Sequence, residues 1–336
     1  MKTIKKLAAV LALSTGLAMP AMAQDHNLRI STWLPPSHGI NTEIFGGLIS
    51  MMEEATNGAV TGELVSGLAP PPAQMDLILD GAADIGIIFH GYQPGRFVAT
   101  KLVELPGYEG TSEASAVAYW QVFEDKLAAL DEHRGVKVIA LMTHGPAQLH
   151  MREPVESLED LKGMKTRLPG GVASNVAERL GLVGINVPAP QVYETLESGA
   201  ADAVAMNVGE RIGFKLNEVA PVMYEIPGGL YRGSFAIIMS QETFDGLPEE
   251  VQGQLDTVFG EAASRMSGAA WDLSDKLAYD AMGESTTIIE ASEADQAKFA
   301  EIAEAVKVDV LAEIDDAGVD AQSAYQEVVD AMAAEK

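Results

Sequence analysis

Hydrophobic spacing along this chain switches repeatedly between a period of two and a period near 3.6. Residues 28–33 (LRISTW) alternate and are rich in strand formers, stop at Leu34-Pro35-Pro36, and pass through Ser37-His38-Gly39 into a helical pattern over 40–56. Residues 60–64 read as a second strand. A proline-broken loop follows, then a helix over 74–79. Gly81-Ala82-Ala83-Asp84 leads into 85–89, a continuous apolar run of the kind that forms a strand buried on both faces. His90-Gly91-Tyr92 fall just past its carboxyl end. A long amphipathic helix is predicted over 112–130, with Tyr119, Trp120 and Phe123 as core. A buried strand over 136–142 delivers Thr143-His144-Gly145, and 149–152 reads as a crossing into a second lobe.

The helix-turn-strand unit has an echo. Residues 74–84 (QMDLILDGAAD) recur, one residue longer, as 191–202 (QVYETLESGAAD), and each copy precedes a short apolar strand. The second strand, 203–206, ends at Asn207. Two such units imply an α/β chain of two similar lobes, although GAAD alone also serves as an ordinary tight turn. In open α/β sheets ligands collect beyond the carboxyl ends of strands, so His90 and Tyr92 from one lobe and Met206 and Asn207 from the other are expected to face a shared cleft.

Between the copies, 158–171 (LEDLKGMKTRLPGG) combines a short helical run, a break at Gly163 and an extended segment holding Arg167. Pro169-Gly170-Gly171 then open a helix, VASNVAERL. This puts a guanidinium beside a helix N-terminus, where free amides and the helix dipole also attract an anion. A surface arginine or an inter-element ion pair is the competing reading. Farther on, 230–240 reads as a strand returning to the first lobe. A helix is expected from 248 to about 282 with Gly253, Gly260 and Gly268 as weak points, long enough to brace both lobes. The acidic tail, 293–336, reads as helical.

Composition changes the picture in three ways. Residues 1–23 carry Lys2, Lys5 and Lys6, an apolar run and Ala21-Met22-Ala23, the pattern of a secretory signal cleaved near Ala23, which makes the expected location periplasmic. The net charge of −27 becomes −30 once those three lysines are lost, which argues against a nucleic-acid partner and requires any anion site to use a local, desolvated cation. Without cysteine, stability rests on burial alone. Six histidines without paired ligand spacing give no metal site, and no cofactor is expected. The absence of a G-x-S-x-G elbow, a zincin motif or a phosphate loop weighs against an exported hydrolase.

Taken in order behind a signal peptide, DLKGMKTRLPGG, VYETLESGAADAV, FKLNEV, PGGLYRGSFAIIMS and LPEEVQ resemble the solute-binding proteins of TRAP (tripartite ATP-independent periplasmic) transporters, over nearly the whole mature chain. The resemblance implies a two-lobe periplasmic binding protein fold with crossover strands, a cleft between the lobes and a long helix spanning both. The expected division is 24–143 plus 232–271 for lobe I, and 144–231 plus 272–336 for lobe II. It also implies a monomeric receptor, not an enzyme, that hands a small organic acid to TRAP membrane permease subunits. Arg167 matches the family arginine that pairs with the ligand carboxylate.

Two departures bear on the ligand. Thr143-His144-Gly145-Pro146 replaces an arginine that many relatives carry, and Met206-Asn207-Val208 replaces a Pro or Trp, which favours a monocarboxylate over a dicarboxylate. His144 and Asn207 are expected to add neutral hydrogen bonds. Trp33, Phe89, Tyr92 and Tyr231 offer an apolar wall suited to an aromatic or hydroxylated acid, each serving equally well as core, with core favoured for Phe89. A receptor for an ATP-driven importer, or a sensory receptor, shares the same closing-cleft logic.

Overall fold

The computed structural model describes residues 26–283 and 286–335. The proposed signal sequence lies outside the described residues. Eleven strands form among them: β1 (His26–Thr32), β2 (Val60–Ser66), β3 (Ile85–Phe89), β4 (Val136–Thr143), β5 (Ala147–Met151), β6 (Lys165–Leu168), β7 (Val183–Asn186), β8 (Ala203–Asn207), β9 (Val222–Glu225), β10 (Ser234–Ser240) and β11 (Thr287–Glu290). They make two sheets, ordered β2-β1-β3-β10-β4 and β11-β9-β5-β8-β6-β7.

The two sheets repeat one plan. β3 lies between the parallel β1 and the antiparallel β10, and β8 between the parallel β6 and the antiparallel β5. The echoed sequence units build the equivalent strands β3 and β8, and the aspartate of each GAAD turn explains the recurrence. Asp84 accepts from Arg29 N–H at 2.7 Å and donates its own N–H to Arg29 O, locking β3 to β1. Asp202 does the same with Lys165, locking β8 to β6. The turn is therefore a register pin as well as a reversal.

β5 and β10 are the crossovers: the chain leaves the first sheet after β4 to enter the second at β5, returns to the first at β10, and each crossover strand lies antiparallel to its neighbours. The segments that lead into them run side by side. His144 N–H donates to Gly233 O, Ala147 N–H to Tyr231 O and Leu230 N–H to Ala147 O. This two-stranded neck joins the sheets.

The expected single helix from 248 to 282 is divided in two. Glu249–Asp256 ends, the chain turns at Gly260 with φ +81°, and Glu261–Met282 begins. The break is tertiary in origin. Gly260 N–H reaches Ile139 O of β4 at 2.7 Å, and a Cβ there would stand 2.8 Å from the Trp120 ring, so the helical path is given up for a bond to the sheet.

The second helix is the brace. Its first half packs on helix Ser112–Val122 and β4, and Asp272 caps that helix by accepting from Ser112 and Glu113 N–H. Its second half reaches the other lobe, where Ala278 and Met282 cluster with Val208 and Met223. The tail is shared. Glu293–Asp316 packs on Val172–Leu180, whereas Ala321–Ala334 packs on Ser112–Val122, beside the first sheet.

Gly268 is a contact point in the brace. A Cβ at Gly268 would lie 2.5 Å from Ser112 O and 2.6 Å from Glu113 Cα, both backbone atoms that have little room to yield. Gly268→Ala is expected to cost about 1–3 kcal/mol through overpacking. Gly253→Ala, where nothing lies within 4 Å, should gain up to about 1 kcal/mol from helix propensity. Melting temperatures of the two variants check the pair; equal shifts would refute the close-approach argument.

Candidate functional site

β1, β3, β6 and β8 point their carboxyl ends at a tight space between the lobes, with a cavity volume of about 30 Å³ in this closed arrangement. Its walls are largely aromatic: Trp33, Phe89, Tyr92, Phe214, Tyr231, Phe235 and Trp271, with Met206 on the floor. Phe89 meets Tyr92 at 4.7 Å and Phe235 at 5.0 Å between ring centroids. Phe235 and Trp271 lie 5.4 Å apart.

Into this apolar space projects Arg167, 1% exposed. Its Nε donates to Val187 O at 2.8 Å and its Nη2 to the Tyr92 hydroxyl at 3.2 Å. It makes no ion pair with any carboxylate among the described residues. A buried cation that lacks a counter-charge is costly to hold, and it sits where an incoming anion would neutralise it.

The helix N-terminus expected to share that anion is already occupied. Gly170 and Gly171 take positive φ to open Val172–Leu180, but Val172 N–H donates to the carboxylate of Glu104 at 2.9 Å. Glu104 comes from the other lobe, is buried, and also accepts from the Ser234 hydroxyl at 2.6 Å. Burial raises its pKa in spite of these donors. The amide of Val172 is spent on an inter-lobe latch, and Arg167 is left as the cation facing the cleft.

Two further contacts cross between the lobes. The Tyr92 hydroxyl accepts from Ala189 N–H at 2.8 Å as well as from Arg167. His38 Nε2 meets Glu210 at 2.9 Å, with both side chains buried. Burial alone would lower the pKa of His38, but the charge and hydrogen bond of Glu210 outweigh it and the net direction is up. A Cβ on Gly170 would approach Gly91 O to 2.3 Å, so glycine permits the lobes to meet there. The lobes are thus seen closed upon the cavity.

The expected site residues separate into two groups. Arg167, Asn207, Met206, Trp33, Tyr92 and Tyr231 all line the cavity, and Phe89 does so while also packing in the core. His144 lines it too, but not as the free hydrogen-bonding group expected. Its Nδ1 donates to Gly145 O at 2.6 Å and its Nε2 accepts from Gly233 N–H at 3.1 Å, so it serves as a neutral aromatic wall. Burial pushes its pKa down to about 4.

His90 does not reach the cavity. It turns the other way, to Ser234 and His133, each at 3.0 Å, and its pKa lies well below the ordinary value because it is buried beside a second histidine. Residues that sequence reasoning missed are His38, Glu210, Phe214, Phe235 and Trp271.

A two-lobed α/β body, joined at a paired neck and closed over one buried arginine, defines a solute receptor of the extracytoplasmic binding type. Residues 31–313 match the bacterial extracellular solute-binding proteins, family 7, and the chain belongs to that family. It is similar to a TRAP periplasmic solute-binding protein from Bordetella bronchiseptica solved with (R)- and (S)-mandelate bound. The two are 30% identical, the match covers 92% of this chain and 99% of that one, and the TM-score is 0.89. A marine metagenome TRAP solute-binding protein specific for aromatic acid ligands, solved with 3-hydroxybenzoate, is 26% identical, covers 92% and 98%, and has a TM-score of 0.85. The C4-dicarboxylate-binding periplasmic protein DctP of Rhodobacter capsulatus is 25% identical over 79% of this chain and 80% of its own. The chain is therefore a TRAP-type solute-binding protein. Among the described residues no helix is long and apolar enough to cross a membrane.

Proposed function

We propose that this protein captures a single-ring or hydroxylated organic monocarboxylate in the periplasm, as a monomer with its signal cleaved near Ala23, and delivers it to a TRAP permease. The observation that carries the reading is Arg167, a buried guanidinium without a carboxylate partner, open to an aromatic cavity. A carboxylate there gains a charge-assisted, two-point interaction. Among the described residues lining the cavity Arg167 is the only Arg or Lys, and Glu210 repels a second ligand carboxylate. That favours a monocarboxylate. The relatives that bind mandelate and 3-hydroxybenzoate support the same class.

Closure follows from differential contact. The ligand touches walls from both lobes, so it favours the closed arrangement over any open one. The latches Glu104–Val172, Tyr92–Ala189 and His38–Glu210 are made only when the lobes meet.

A thermal-shift panel of aromatic and aliphatic monocarboxylates, dicarboxylates, sulfonates and neutral sugars tests the reading. Ligand at a hundredfold excess over its dissociation constant stabilises by about 2.7 kcal/mol. Aromatic or hydroxylated monocarboxylates should shift the melting temperature most and neutral sugars not at all. Shifts confined to sulfonates or sugars would remove the carboxylate assignment.

A further inference from the structure

Two polar atoms in the cavity wall have no partner. Asn207 Oδ1 and Trp271 Nε1 are buried and unsatisfied, on residues 1% and 3% exposed, and both residues line the same space. Buried polar groups are overwhelmingly paired, so two orphans in one cavity point to what fills it.

The direction in which Asn207 presents its amide is fixed. Its Nδ2 donates to Asp275 Oδ1 at 2.9 Å, and the same oxygen accepts from Gly209 N–H at 2.6 Å, which leaves the amide oxygen as the open end. Asp275 stands one helical turn after Trp271 on the brace helix, so a single helix face supplies the donor and positions the acceptor. The neighbouring polar groups are engaged. The Tyr231 hydroxyl donates to Ala205 O, Trp33 Nε1 donates to Ile87 O, and both His144 nitrogens bind backbone.

A carboxylate brings only acceptors, so the group held at Arg167 cannot satisfy Asn207 Oδ1. An ammonium brings only donors and cannot satisfy Trp271 Nε1. A hydroxyl both donates and accepts. We propose, resting on the organic-acid reading above, that the ligand carries a hydroxyl which donates to Asn207 Oδ1, that Trp271 Nε1 donates to a ligand oxygen, and that these two residues set the specificity for hydroxylated over plain acids. Asp275 is a positioning residue that holds the Asn207 amide in its productive orientation.

Titration calorimetry with matched acids tests this: mandelate against phenylacetate, 3-hydroxybenzoate against benzoate, and phenylglycine as the ammonium analogue of mandelate. The wild-type protein should bind the hydroxylated member of at least one pair about tenfold or more tightly, because the plain acid leaves a buried acceptor unpaired. Which pair discriminates tells whether the hydroxyl sits beside the carboxylate or on the ring. Asn207→Leu and Trp271→Phe should each bring that ratio within about threefold of unity. Equal binding within both pairs overturns the inference and leaves the carboxylate reading standing, as does tighter binding of phenylglycine than of mandelate. If none of these acids binds, the organic-acid reading falls and takes this one with it. The wild-type ratio decides even where a variant fails to fold.

Discussion

Arg167→Ala is expected to weaken capture of the acid by about a hundredfold or more while leaving the fold intact. Truncating one partner of a buried, hydrogen-bonded charge pair costs about 2–5 kcal/mol, and every 1.4 kcal/mol is tenfold in affinity. The guanidinium has no internal carboxylate to leave stranded, and its protein partners, Val187 O and the Tyr92 hydroxyl, are few. Tyr92 keeps Ala189 N–H as a donor after the truncation. Arg167→Lys should recover only part of the loss, since an ammonium keeps the charge without the planar fork. Calorimetry with the best acid from the panel, beside melting curves of both unliganded variants, separates binding from folding. Wild-type affinity in the alanine variant would show that Arg167 is not the anchor.

The same residue shows how far the sequence carries the argument. β6 and its arginine are legible because a four-residue extended segment between Gly163 and the Pro169-Gly170-Gly171 breaker has few other conformations open to it. The two-lobe plan is legible through the repeated GAAD units, whose aspartates prove to pin strand register in both sheets. The fate of the following helix N-terminus is not, because the group that occupies it, Glu104, lies 68 residues away and meets it only after the lobes pack. The break at Gly260 is hidden for the same reason: helix propensity is local, and Trp120 and Ile139 O are not.

His90 is a more instructive case. Phe89 and Tyr92 face the cavity, but the strand ends at Phe89 and His90 opens a 3-10 turn, His90–Tyr92, that sends its ring to Ser234 and His133 instead. Nearness to a strand terminus does not by itself fix the direction of a side chain. Trp271 left a fainter trace. It is the one aromatic in a buried stripe of Ser264, Ser267, Gly268, Ala278 and Met282, with Asp275 four residues on, a spacing that puts indole and carboxylate on one face.

Acid should destabilise this protein from about pH 6.5 downward, chiefly through buried histidines. His133 and His144 are held near 4 and His150 near 3, in each case chiefly by burial, against an ordinary 6.5. A histidine whose pKa is depressed by folding contributes stability that is present above 6.5 and lost as pH falls toward the folded value, because the unfolded chain takes up the proton first. Three groups act in the opposite direction, Glu104 among them because burial raises its pKa. Asp275, pushed up to about 6 by burial, favours the folded state in acid and gives that advantage up as pH rises through 6. His38, raised by Glu210, contributes below 6.5 and loses that contribution above it. These three depressed histidines, with His90 acting in the same direction, together outweigh them. Stability should therefore fall by on the order of 5 kcal/mol between pH 6.5 and pH 4.

The loss has a structural address. His150 donates Nε2–H to Met206 O beneath the cavity and accepts from Arg211 Nη1 at its other nitrogen, an arrangement that only the neutral ring can keep. Protonation sets two cations against each other 3.0 Å apart, directly behind Met206 and Asn207. Ligand affinity should then decline along with stability, and in His133→Phe, which removes one depressed group far from the cleft, the decline in stability should be smaller and that in affinity unchanged. Melting temperatures and affinities followed from pH 7.5 to 4.5 check both statements, and a melting temperature that stays flat or rises on acidification would mean that these histidines are hydrated and free to charge in the folded protein.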